Sequence, residues 1–258
     1  MTDQSPNRPD ADVRDRVPLA MIVPNMITLS GMCLGLTSIR FAMDDRFWLA
    51  LVLILLSALM DGLDGFFARR LNATSSFGAE LDSLSDFLCF GVAPGILVYQ
   101  FHLQELGSIG WIFVLVFAAA TCLRLARFNV MRGQVVEDEE DVPAKPYFQG
   151  VPAPAGALLG LMPVFAGQAG IVEAGQLPLL VALWLGLVAV LMISNIPTPS
   201  PRTLRVPRRL IGVLMFALVV AIGVIFTSPW TLLVVIDLIY LGTVAVAGAR
   251  HWSGRNQG

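Results

Sequence analysis

Apolar runs about as long as a bilayer is thick recur along almost the whole chain, and no other feature restricts its fold so much. A helix needs on the order of 20 apolar residues to cross the hydrocarbon core. Inside that core every backbone amide must find its partner within the protein. Eight segments qualify, near 25–43, 47–71, 76–101, 108–131, 149–168, 176–196, 208–227 and 229–249. The 258 residues are only 14% charged, against about a quarter in an ordinary soluble domain. The expectation is an all-α fold, a polytopic membrane bundle of about eight transmembrane helices. A polar tail over 1–18 precedes a membrane domain over 19–249, and a second short tail occupies 250–258. "VPLAMIVP" ahead of the first span ends in Pro24 and reads as interfacial, with Asn25 as the N-cap of the first helix. The polar start lacks the apolar core and cleavage site of a signal peptide.

Charge placement sets the orientation. With a cytoplasmic N-terminus, fifteen of the seventeen Lys and Arg residues fall on one side, and only Arg40 and Arg46 on the other. The positive-inside rule then puts both termini in the cytoplasm, in a bacterial inner membrane. The cluster "PRTLRVPRR" (Pro201–Arg209) follows that rule and attracts anionic lipid, while "EDEED" (Glu137–Asp141) reads as a solvated loop. No nucleic-acid partner is expected. Cys33, Cys89 and Cys122 lack metal-site or disulfide spacing and read as small buried hydrophobes.

Against this background, "MDGLDGFFARRLNATSSFGAELDSLSDFLCFG" (Met60–Gly91) places four aspartates where hydrocarbon should be. One aspartate at the centre of a span costs roughly 2.5–3.5 kcal/mol on insertion scales, so four require a polar interior. Asp61 and Asp64 are i,i+3 and Asp82 and Asp86 are i,i+4, so each pair shares a helix face. The turn between the two spans brings both pairs to similar depth near the cytoplasmic boundary. Convergent carboxylates repel unless something positive sits among them. Hard divalent cations such as Mg²⁺ or Mn²⁺ suit oxygen ligands and take phosphate oxygens to complete their shells. Two of them would bracket a phosphoryl centre. Gly65, Gly78 and Ala68 keep the helix walls low for close packing or a flat ligand. Arg69 can bridge an aspartate or clamp a diphosphate. Ser75 is positioned to cap the third span.

The eight residues Asp61, Asp64, Gly65, Ala68, Arg69, Gly78, Asp82 and Asp86 spell D-x₂-D-G-x₂-A-R-x₈-G-x₃-D-x₃-D. Every position resembles the motif of the CDP-alcohol phosphotransferases, membrane enzymes of phospholipid synthesis. The resemblance implies that Asp61, Asp64, Asp82 and Asp86 hold two divalent cations and that Asp86 is the general base. Gly65, Ala68, Arg69 and Gly78 would line the CDP site, joined by Ser75. "PNMIT" (Pro24–Thr28) resembles the family's first span, adding Asn25 and Thr28. A homodimer is also implied.

Past the motif, "LRLARFN" (Leu123–Asn129), "YFQGVPAPAGA" (Tyr147–Ala157) and "SNIPTPS" (Ser194–Ser200) resemble the multispan phosphatidylserine synthase branch. The resemblance runs from about Pro24 to Ser200; the last two spans add only hydrophobicity. Arg124 and Arg127, i,i+3 at the end of span four with Asn129 beside them, can bind the carboxylate of serine or a lipid phosphate. They can equally serve as positive-inside anchors that snorkel to headgroups. "GVPAPAG" predicts an irregular start to span five. The implied substrates are CDP-diacylglycerol and L-serine, giving phosphatidylserine and CMP, with membrane lipids around the enzyme. Rival readings are another acceptor (glycerol 3-phosphate, inositol phosphate or choline), separable by acceptor competition, and a divalent-cation transporter. Against the transporter, no acidic residues are expected to continue across the bilayer.

Overall fold

The computed structural model describes residues 19–71, 75–137, 147–194, 197–199, 220–221 and 223–255. Most of the predicted seventh span (208–219), the N-terminal tail, residues 256–258, most of the acidic loop and the basic cluster lie outside the described residues, and the expected C-terminal tail is helical as far as Arg255. Those described include seven apolar helices, α1 (Leu19–Met43), α2 (Phe47–Arg70), α3 (Ser76–Leu106), α4 (Ser108–Glu137), α5 (Ala153–Gln168), α6 (Pro178–Ile193) and α7 (Pro229–Arg255), besides the helical residues 220–221 and 223–227 of the predicted seventh span. Five are long and apolar enough to cross a membrane; α5 and α6 are 16 residues each, about 24 Å at 1.5 Å per residue. The protein is an all-α membrane bundle.

The first helix begins earlier than the sequence suggested. Residues 19–24 are helical and Pro24 lies inside α1, so Asn25 is not an N-cap. A proline removes one backbone bond, but leaving the helix at that depth would expose several amides to hydrocarbon, and spanning helices tolerate the smaller loss. α1 turns into α2 through Asp45, which adopts a left-handed conformation (φ 57°). The Arg46 amide donates to the Phe41 carbonyl at 2.8 Å. The Arg46 guanidinium sits 5.0 Å from the centre of the Phe41 ring, a cation–π contact.

α3 is the central element: half of its apolar window is buried, against 11% for α7. It is not a uniform α-helix. Phe87–Val92 and Tyr99–Leu103 are π-helical. The first of these directly follows Asp86 and precedes Pro94, which cannot donate back to Phe90. The wider turn absorbs that defect, and the Ala93 amide bonds to Leu88 five residues back. α1 approaches closely at Gly35, where a Cβ would lie 2.7 Å from Cys89 Sγ.

α5 starts at Ala153 rather than 149 because Pro152 and Pro154 fit only a helix's first positions. Before it, Tyr147–Gln149 (β1) pairs antiparallel with Pro197–Pro199 (β2), Phe148 opposite Thr198. Gly150 turns the chain at φ 77°, its backbone packed against the Met192 and Ser194 carbonyls so tightly that a Cβ would come within 2.7 Å of each. Pro163 leaves the Leu159 carbonyl without its helical donor, and Trp184 of α6 supplies one, Nε1 donating at 2.8 Å. α7 docks through Trp230, stacked on Phe165 of α5 (centroids 6.1 Å apart) and edge-on to Trp48 of α2. Of the cysteines only Cys89 is buried; Cys33 and Cys122 lie on the outer surface of their spans, contrary to the sequence reading. A thiol is apolar enough to face lipid as readily as core.

Candidate active site

The site forms where α2 ends and α3 begins, against the first turns of α1. On α2, Asp61 and Asp64 lie on the face towards α3, and Asp82 lies on α3 itself. One carboxylate oxygen from each of these three comes within 4.8 Å of the other two. Asp86, one turn along α3, stands outside that trio but its carboxyl group contacts that of Asp61. The expected convergence of both pairs is therefore present. Four acids this close repel unless positive charge sits among them.

Asp64 is the most buried of the four, at 5% exposed. Thr28 of α1, itself buried, donates its hydroxyl to Asp64 Oδ2 at 2.6 Å. The Ser85 hydroxyl reaches the Thr28 carbonyl at 3.4 Å, tying α3 to the same turn of α1. Proline at 24 puts this turn of α1 near a backbone defect, and the Thr28 hydroxyl also lies 3.1 Å from the Pro24 carbonyl. The shorter bond goes to the carboxylate, the stronger acceptor.

Above the aspartates lies an open cleft of about 570 Å³, lined by Pro24, Asn25, Thr28, Asp64, Gly65, Ala68, Arg69, Ser75, Gly78, Ala79 and Asp82. It thus gathers every residue the sequence reading placed at the nucleotide. Ser75 caps α3, accepting from the Gly78 amide at 3.0 Å. Gly78 is required for space: a Cβ there would lie 2.9 Å from Asn25 Oδ1, so α1 and α3 meet across the cleft at a residue without a side chain. The Arg69 guanidinium folds back over Gly65, one turn earlier on α2, about 3.4 Å from where a Cβ would be. Both residues line the cleft. Oxygen-only donors, a positive fork and a capped helix start with free amides suit a divalent cation and a diphosphate.

The three residues of α4 separate in role. Asn129 donates Nδ2 to the Ser83 hydroxyl at 2.8 Å, next in sequence to Asp82. Arg127 donates Nη1 to the Ile193 carbonyl at 3.2 Å, at the last residue of α6. Arg124 lies within electrostatic range of Asp86, and its Nε is buried without a hydrogen-bond partner.

Two polar residues of α7 escaped the sequence reading. Asp237 is 3% exposed and Tyr240 carries a buried hydroxyl, so the last span adds more than hydrophobicity and an acid does lie outside the motif cluster. The available signal was a single carboxylate in an otherwise apolar span, which on insertion cost alone marks an inward-facing position.

The chain is similar to known proteins over most of its length. A family model described as CDP-alcohol phosphatidyltransferase matches residues 21–194. A protein of Mycobacterium leprae named CDP-diacylglycerol–serine O-phosphatidyltransferase is 38% identical over 226 residues, 85% of this chain and 72% of the relative. Its namesake in Helicobacter pylori strain 26695 is 34% identical over 233 residues, 90% of this chain and 91% of the relative. That of Mycobacterium tuberculosis strain H37Rv is 34% identical over 223 residues, covering 85% and 76%. With the acidic cluster, the cleft and a match across two-thirds of its length, the chain belongs to the CDP-alcohol phosphatidyltransferase family.

Proposed function

We propose that the protein transfers the phosphatidyl group of CDP-diacylglycerol to L-serine, releasing CMP and phosphatidylserine. The observation that carries this reading is the trio Asp61, Asp64 and Asp82, two of which, Asp64 and Asp82, line a cleft that also holds Arg69 and the capped start of α3. The relatives' names supply the serine acceptor.

In this reading Asp61, Asp64, Asp82 and Asp86 hold two divalent cations, Mg²⁺ or Mn²⁺. Such ions, when bound, offset negative charge on the phosphoryl oxygens. Arg69 and the α3 amides bind the diphosphate, while Asn25, Gly65, Ala68 and Gly78 shape the walls against the nucleotide. Asp86 takes the proton of the serine hydroxyl as its oxygen bonds to the phosphorus bearing the lipid. The bond from that phosphorus to the CMP oxygen breaks, and CMP leaves with the electron pair. The acyl chains stay in the membrane. The cleft and both termini face the cytoplasm, with the N-terminal 1–18 and C-terminal 250–258 as tails, in a bacterial inner membrane. The assembled unit is a homodimer, which a mass measurement of the detergent-solubilised protein checks.

The test is CMP release from labelled CDP-diacylglycerol by purified protein with Mg²⁺ or Mn²⁺, with and without L-serine. Serine-dependent CMP together with a new aminophospholipid is expected. CMP only with another alcohol would remove serine as the acceptor, and no CMP with any acceptor would remove the transferase.

A further inference from the structure

Phosphatidyl transfer as described leaves the last helix unused, yet α7 turns a polar face inward. Trp230, Asp237 and Val244 recur every seven residues and are 7%, 3% and 2% exposed, so one stripe of α7 faces the protein. Tyr240 follows Asp237 by three residues, on the flank of that stripe. Its hydroxyl is buried with no hydrogen-bond partner, as are Asp237 Oδ2 and, across on α4, Arg124 Nε. Tyr240 and Arg124 interact electrostatically, and Arg124 does so in turn with Asp86.

A buried polar atom left unpaired costs about 1–3 kcal/mol, and here two donors that interact electrostatically are both buried and unpaired. Arg124 Nε–H and a tyrosine hydroxyl are both suited to an anion. Arg127, the other basic residue of α4 near this point, donates instead to the Ile193 carbonyl. Of the pair, Arg124 also interacts electrostatically with Asp86, the residue placed at the acceptor's hydroxyl. An acceptor that carries both a hydroxyl and a carboxylate can address Asp86 with the one and Arg124 with the other.

We infer that Arg124 and Tyr240 together bind the carboxylate of the acceptor amino acid, so that a helix beyond the family-matched region selects the acceptor. This rests on the serine-transfer reading above. Arg124 contributes charge and one directed N–H, and Tyr240 a hydroxyl that holds the carboxylate against it. The same two donors also suit a lipid phosphate, and the two sources separate kinetically.

The experiment uses the full-length protein in detergent with Mg²⁺. Wild-type protein is first required to release CMP in a serine-dependent manner; failure there overturns the transfer reading itself, and this inference with it. Tyr240→Phe is then expected to raise KM for serine about tenfold, the worth of one hydrogen bond to a charged group. Turnover at saturation and KM for CDP-diacylglycerol stay within about twofold on the same principle. Turnover of ethanolamine, which is serine without the carboxylate, is expected to be unchanged by the substitution, so the serine preference falls. Arg124→Lys, which keeps the charge but loses the directed Nε–H, is expected to show the same split. An unchanged KM for serine in Tyr240→Phe would overturn the inference. A raised KM for CDP-diacylglycerol instead would assign the anion to the lipid and equally overturn it.

Discussion

One polar contact in the acidic cluster reaches outside the motif residues. It runs from Thr28 on α1 to Asp64 on α2, at 2.6 Å. A hydroxyl that fixes one carboxylate oxygen leaves the other directed at its neighbours, as outer-shell partners of metal ligands do. Thr28→Val keeps the shape of the side chain and removes the donor. It is expected to weaken divalent-cation affinity about 10–100-fold, seen as a rightward shift of the Mg²⁺ activation curve with turnover recovered at high Mg²⁺. Unchanged Mg²⁺ dependence would reduce Thr28 to a packing residue. Asp86→Asn tests the proton acceptor: a folded protein with turnover lowered by roughly 10²–10⁴ is expected, and wild-type-like CMP release would remove Asp86 from that role. At this scale the aspartates were legible in sequence because carboxylates in an apolar run are expensive. Thr28 was legible only as a nucleotide-site candidate, since nothing in a single chain tells which helix faces a hydroxyl.

Helices explain why the same residues were found in the right elements but with shifted ends. Apolar length marks a span; it does not say where proline defects are repaired. Pro24 is tolerated inside α1, Pro163 is compensated by Trp184 of α6, and Pro94 is absorbed by the π-turn after Asp86. Each repair uses a residue on another turn or another helix, so local pattern could not reveal it. Close helix approach is equally non-local. Gly35→Val would push into Cys89 of α3, whose Sγ lies 2.7 Å from the new Cβ position. Overpacking of this kind costs about 1–3 kcal/mol, so a lower thermal midpoint in detergent is expected, and an unchanged midpoint would show that α1 and α3 separate easily. Asp237→Leu probes α7 in the opposite direction. Removing a buried carboxylate oxygen that lacks a partner relieves about 1–3 kcal/mol. A raised midpoint is expected, and a lowered one would mean that Asp237 has a partner this conformation lacks.

For the whole molecule the open quantity is direction across the membrane. The cleft lies at the end of the bundle where α2 stops at Arg70 and Ser75 caps α3, while Gln104 marks the far end of α3. Thirty-one residues separate the two ends of α3, on the order of 45 Å at helical rise, enough to place them on opposite faces. The positive-inside rule predicts that the cleft end is cytoplasmic, because Arg69, Arg70, Arg124 and Arg127 cluster there and Arg40 and Arg46 lie at the other end. The proposed reaction calls for the same side: in that reading L-serine and CMP, both water-soluble, exchange through the cleft, whereas the acyl chains stay in the lipid. Single cysteines at Leu71 and Gln104, both exposed, in a protein whose three native cysteines are replaced by alanine, separate the alternatives. A membrane-impermeant maleimide added to intact cells is expected to label Gln104→Cys and spare Leu71→Cys, with the pattern reversed in inverted vesicles. The opposite labelling would turn the cleft away from cytoplasmic serine. The positive-inside argument and the proposed sidedness of the reaction would then fall together, leaving the acidic cluster and the family assignment intact.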